Sequence, residues 1–431
     1  TRHGRGVTDP LSPSSSAPGA GSAGAPRGRA ALWVSAFRPF YLLAAVYLVW
    51  VILTGAAAWS GFVRSGPGTL PLPGGVALWH GHEMLFGFAM AVVTGTVLTA
   101  LPSWAGTPEV RDRQLALLAG LWFAGRLGFH VVGLWGPGIA TLVAAIVDTA
   151  LPLALLVLLT PQLTRCADRR YALLLPVLAV LAMANLVFHA AVAGLDAVGA
   201  ATALRAALWA LIVLYSLKGG VLTPTFTGNA LVASGRGMAP TFRPALELAA
   251  LLTLVALGAA DVGGAPPAVI ALLGWAACIA QAWRVARWRG WRVLDEPLVT
   301  AMNLGFLWLL AALALRSAAA MGAPFPESAW MHAFTMGALG TMMLGLMTRV
   351  ALRHTGRPLA APRALGVWLA LVSVAALARI LAGTHHLGAG AIGLAALAWV
   401  GCFVAWLVCH AHMLLAPSLP RKGTGTPEPA P

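Results

Sequence analysis

Twelve apolar stretches, each long enough to cross a lipid bilayer as a helix, constrain this chain more than any other feature. They cover residues 37–60, 78–101, 114–135, 138–160, 171–193, 199–222, 243–262, 266–283, 297–317, 326–349, 364–384 and 390–415. At about 1.5 Å per residue, a helix of this length matches a hydrocarbon core of roughly 30 Å. The stretches do not alternate with a period of two, which excludes the strands of a transmembrane barrel. Composition removes the soluble alternative: 59% of residues are hydrophobic and 10% are charged, against roughly a quarter charged in soluble domains. The expected fold is all-α, a polytopic membrane bundle of about twelve transmembrane helices. Residues 36–416 form its single domain. Residues 1–35 are rich in Ser, Pro, Gly, Ala and Arg and lack a continuous apolar core. They read as a disordered arm, not a signal peptide, and residues 417–431 as a disordered tail.

The formal charge of +15 arises from 28 Lys+Arg against 13 Asp+Glu. Arginines concentrate in the N-terminal arm and in alternate loops: Arg111 and Arg113; Arg165, Arg169 and Arg170; Arg236 and Arg243; Arg284, Arg287, Arg289 and Arg292; Arg349, Arg353, Arg357 and Arg363. Arg421 and Lys422 follow in the tail, while the intervening loops hold little beyond Arg64. The positive-inside rule then places both termini in the cytoplasm. It accounts for the charge through membrane lipid, with no nucleic-acid partner. The four cysteines, Cys166, Cys278, Cys402 and Cys409, form no C-x-x-C pair and no zinc spacing.

In this topology five histidines share one depth. His80 and His82 lie near the outer end of the second span, His130 of the third, His189 of the fifth and His332 of the tenth, all within roughly 3 to 9 Å of the outer boundary. Wet helix ends alone explain such a layer poorly, because the inner ends carry only His410 and His412. Ionisable groups inside membrane helices are costly and mark function. Neutral imidazole is the commonest protein ligand of haem, copper and non-haem iron. Most of this set is therefore expected to bind haem or metal.

His80 and His82 are two residues apart, about 200° around a helix, so they face different sides. They serve two centres, or one ligand position and one structural one. Gly81 between them leaves room for a flat macrocycle. Glu83 shares a face with His80 and is expected to orient an imidazole, bind metal or relay protons; its bland alternative is a buried salt bridge. Arg126, four residues before His130, and Arg379 near the outer end of the eleventh span suit haem propionates. Arg205 and Arg316 read instead as snorkelling to headgroups. Asp148 and Asn185 are polar groups at membrane depth, either a proton path or interhelical glue. His385 and His386, and His410 and His412, read as surface pairs. Gly337, Gly340 and Gly345 let the tenth helix pack closely. With no C-x-x-C-H motif, any haem is a non-covalent haem b.

Several longer segments are distinctive: F-R-P-F at 37–40, W-H-G-H-E-M-L-F-G-F at 79–88, L-T-A-L-P-S-W-A-G at 98–106, and M-H-A-F-T-M-G-A-L-G-T-M-M-L-G-L-M-T-R-V-A-L-R-H-T-G-R-P-L at 331–359. Together they resemble the NnrS family, multi-spanning bacterial membrane proteins of the nitric-oxide response. The resemblance implies haem b with copper or non-haem iron, nitric oxide as ligand or substrate, and a bacterial inner-membrane location. At 219–231 the family pattern has two arginines where this chain has Val221 and Gly228. Three functions are compatible with these residues. One is an oxidoreductase that reduces nitric oxide with electrons from quinol or a periplasmic cytochrome and protons through Glu83. The others are a non-enzymatic haem-based sensor or sink, and a transporter.

Overall fold

The computed structural model describes residues 31–60, 72–135, 138–382 and 389–420. Arg64, His385, His386, most of the N-terminal arm and the tail beyond residue 420 lie outside this set. Twelve long helices run through the described residues: α1 (Phe37–Trp59), α2 (Val76–Ala105), α3 (Asp112–Trp135), α4 (Ile139–Leu163), α5 (Leu174–Ala193), α6 (Ala197–Ala233), α7 (Pro244–Val262), α8 (Pro267–Trp288), α9 (Pro297–Ala320), α10 (Glu327–His354), α11 (Leu365–Ala382) and α12 (Ala389–Leu415). Eleven are long and apolar enough to cross a membrane. The other, α3, has 24 residues and packs along α4. No strand occurs among the described residues. The chain is a multi-pass helical membrane bundle.

Helix boundaries follow local chemistry. Pro244, Pro267 and Pro297 open α7, α8 and α9, where the missing N–H costs nothing. The Asp196 carboxylate caps α6 by accepting from the Gly199 N–H at 2.8 Å. The sixth helix runs well past the expected residue 222, through Pro224 to Ala233. Membrane helices absorb such a proline because neighbouring groups and hydroxyls re-satisfy the freed backbone. The bundle closes on itself at Arg38 of F-R-P-F. This buried guanidinium donates to the carbonyls of Leu414 (2.7 Å) and Ala416 (2.6 Å) and to Ser418 Oγ (2.9 Å). A cation thus caps the carbonyl end of α12 and ties it to α1.

Two helices form the centre. The apolar window of α2 is 89% buried and that of α10 83%, against 28% for α7. Both leave α-helical bonding for one wide π segment immediately after a histidine: Glu83–Ala89 follows His82, and Ala333–Leu339 follows His332. Such segments recur at functional sites. Each holds a glycine at its fifth residue, and each glycine receives a ring from the adjoining helix. A side chain at Gly87 would run into Tyr47 of α1, and one at Gly337 into Trp308 of α9. Gly340 and Gly345 receive Trp399 and Ala301 in the same way, so close packing of α10 is what its glycines provide.

Candidate metal centre

The four helices α2 to α5 converge on one buried polar cluster. His82 and Glu83 come from α2, Arg126 from α3, Asp148 from α4, and Asn185 and His189 from α5; all are buried. Close approach of α3 and α4 depends on Gly125, where a Cβ would lie 2.7 Å from Asp148 Oδ1 and 3.0 Å from its Cα. That contact brings Arg126, the next residue, onto Asp148.

Asp148 Oδ2 is the focus. His189 Nε2 lies 2.8 Å from it, His82 Nε2 3.1 Å, and Asn185 Nδ2 donates to it at 3.2 Å. Asp148 Oδ1 pairs with Arg126 Nη2. The remaining guanidinium nitrogen, Nη1, donates to Glu83 Oε1 at 2.6 Å, and Tyr47 of α1 donates its hydroxyl hydrogen to Glu83 Oε2. Phe86, Phe129 and Phe188 wall His82 in, with Phe188 stacked on the imidazole at 4.4 Å.

Two observations identify what this cluster suits. Both nitrogens of His82 face acceptors: Nδ1 lies 2.8 Å from Glu83 Oε1, and Nε2 faces Asn185 Oδ1 at 2.8 Å as well as Asp148 Oδ2. A neutral imidazole has one N–H and cannot serve both sides. Moreover, two buried carboxylates face a single guanidinium, so one negative charge is left over. A cation between His82 Nε2, His189 Nε2 and Asp148 Oδ2 answers both, because it takes the place of a proton and neutralises the charge. One ligand atom from each of the three residues lies within 4.8 Å of the others. Two imidazoles and a carboxylate are a donor set for non-haem iron, copper or zinc.

His80 faces away from this cluster. Its Nδ1 packs over Gly55 of α1, and it lies within electrostatic range of Arg379 on α11 and His332 on α10. His332 donates Nδ1–H to the Ser328 carbonyl one turn back at 2.7 Å, which leaves Nε2 as the unprotonated nitrogen of the neutral ring. His130 uses the same device, donating to the Arg126 carbonyl at 2.7 Å, and its buried Nε2 has no hydrogen-bond partner among the described residues. It sits beside Trp50 and Trp79, outside the Asp148 group.

Several expectations change. Glu83 orients His82 and not His80: its Oε1 lies 2.8 Å from His82 Nδ1 and is held there by Arg126 Nη1 at 2.6 Å. Arg126 is taken up by Glu83 and Asp148, which leaves Arg379 as the arginine beside His80 and His332. Gly81 admits Leu204 of α6, 3.1 Å from where its Cβ would lie, and this is a helix contact instead of a macrocycle face. Arg205 and Arg316 pair with carboxylates of the bundle. Arg316 Nε donates to buried Asp261 at 3.0 Å, and Arg205 pairs with Glu327 at 2.7 Å. His410 is fully buried, stacked on Trp406 at 4.9 Å. The sequence reading missed Tyr47 and the phenylalanine walls. Phe-His occurs twice, at 129–130 and 188–189, and that repeat was a usable signal.

At 219–231, Gly228 packs against Ala239 and Pro240, 3.0 to 3.1 Å from where its Cβ would lie, so in this chain a larger residue there would need the Ala239–Pro240 segment to give way. Among curated proteins none matches the chain. The model of one protein family, described as NnrS protein, matches residues 31–418, nearly the whole length and every helix that builds the polar cluster. The chain therefore belongs to the NnrS family.

Proposed function

We propose that this is a haem- and metal-binding oxidoreductase of nitric-oxide metabolism in the bacterial inner membrane, with both termini cytoplasmic. The observation that carries the proposal is the convergence of His82 Nε2 and His189 Nε2 on Asp148 Oδ2 inside a membrane bundle. His82, Asp148 and His189 would hold the second metal, copper or non-haem iron. His80 and His332 would ligate haem b, with Arg379 beside its propionates. The donor chemistry fits, since His332 already has its Nδ1 proton engaged and presents Nε2. When bound, these groups supply one-electron chemistry and an exchangeable position for a gas.

The polypeptide's own contribution is positioning and proton supply. Reducing two molecules of nitric oxide to nitrous oxide takes two electrons and two protons and releases one water. Half-buried Tyr47 donates to Glu83, and Glu83 accepts the Nδ1–H of metal-ligating His82, so the Tyr47–Glu83 pair is the group placed beside the site to pass protons on. Arg126 holds both carboxylates in place. Apolar nitric oxide reaches the site through lipid, and Phe86, Phe129 and Phe188 keep bulk water from it. Electrons would come from quinol or a periplasmic cytochrome. The test is metal and pyridine-haemochrome analysis of purified protein, followed by anaerobic nitric-oxide consumption with a reductant. Consumption with nitrous oxide as product supports the proposal. Stoichiometric binding without turnover would convert the reading to a sink or sensor.

A further inference from the structure

We propose that the furrow between α7 and α8 binds one anionic glycerophospholipid. The furrow has a volume of about 770 Å³ and opens to the outside of the bundle. Ala245, Ala249, Ala276 and Ala280 leave its floor open, and Ile279 and Trp283, 64% and 63% exposed, stand as its walls. Arg243 and Arg287 line it at the end where the arginine-rich loops gather. From Arg243 to Thr253, the groove residues of α7 cover about 15 Å of helix, half of a roughly 30 Å core and thus one leaflet. An acyl chain has that reach.

The charged end is built for a phosphate. The neighbouring Arg236 and Arg284 are paired, with Asp295 and Glu247, whereas Arg243 and Arg287 have no carboxylate partner among the described residues. Arg287 Nη2 donates to Thr241 Oγ1 at 3.1 Å, which fixes its direction. Arg243 precedes α7 without forming a side-chain cap, and Pro244 has no N–H. The N–H groups of Ala245 and Leu246 therefore lack an intrahelical acceptor and add the positive end of the helix. Glu247, the acidic residue of that first turn, is drawn to Arg284 at 2.6 Å. Two guanidiniums without carboxylate partners and an open helix start, above an apolar channel one leaflet deep, match a phosphate headgroup of net negative charge with its chains below. A neutral quinol matches only the channel.

Native mass spectrometry of delipidated full-length protein, with phosphatidylglycerol and phosphatidylcholine of identical chains, tests this. The expected result is one phosphatidylglycerol retained roughly tenfold or more over phosphatidylcholine. Arg243→Gln/Arg287→Gln removes the preference. Ala249→Trp fills the floor without changing charge and removes retention itself. Equal retention of the two lipids, an unchanged preference in the double variant, or a quinone in place of the phospholipid overturns the proposal.

Discussion

Asp148 Oδ2 and His189 Nε2 lie 2.8 Å apart across the α4–α5 boundary, and the same oxygen faces His82 at 3.1 Å from α2. Three helices thus meet at one atom. A carboxylate oxygen facing two imidazoles in a buried site is an arrangement a cation completes, and the predictions follow from that.

The two faces of W-H-G-H carry separate losses. His80→Ala is expected to lower haem content while the non-haem metal stays. His82→Ala is expected to lower the metal while haem stays. Pyridine haemochrome and elemental analysis of both variants read this directly. Loss of the same group in both variants would mean that the histidines share one centre.

Gly87 and Tyr47 are a packing pair. Gly87→Ala places a methyl group in the Tyr47 ring, pushes the phenol from Glu83, and should cost about 1–3 kcal/mol as overpacking. Tyr47→Ala makes room for the methyl. In a double-mutant cycle the paired change should therefore cost less than the sum of the single ones. Additive melting shifts would show that the two residues do not touch.

Outside the spans, Arg236 donates to both Asp295 oxygens and holds that carboxyl below its ordinary range. A depressed folded-state value contributes stability above the unfolded pKa of about 3.9 and loses it as pH falls through the folded value. The pair is exposed, so the contribution is small. Arg236→Gln should raise the Asp295 titration midpoint in carbon-detected NMR, and acid should then destabilise the variant less than the parent. An unmoved midpoint would show that the ion pair does not persist in solution.

Much of the architecture was readable from hydropathy alone, because the need to satisfy every backbone group in lipid admits few solutions. That histidines of different helices come together was readable in part: His82 and His189 meet at Asp148, while His130 stands outside that group. Asp148 was not legible as part of the cluster: a single aspartate in α4 says nothing about α2 or α5, and its contacts with His82 and His189 join residues far apart in the chain. The same holds for Arg316, whose partner Asp261 lies on α7. The π segments were hidden because an apolar run has no marker of where its turns widen. His410 looked like a surface residue near a helix end, yet Arg38 holds that end under α1 and the imidazole is enclosed by Trp406 and Trp368.

Removing Asp148 leaves Arg126 Nη2, Asn185 Nδ2 and the His189 ring without their shared acceptor inside the bundle. Asp148→Ala should therefore cost about 1–3 kcal/mol in metal-free protein. A variant that fails to fold says nothing about ligation, so His189→Gln, which keeps volume and polarity, is the companion. Thermal melts of both variants should show the larger loss in Asp148→Ala.

Elemental analysis of purified, folded protein is the most direct measurement of the central claim. The account predicts about one non-haem transition metal per chain, held by one carboxylate and two imidazoles. It predicts loss of that metal in His189→Gln and Asp148→Ala, and retention in His80→Ala. A metal content that is the same in all four proteins, or absent from wild type grown with copper and iron, would contradict it.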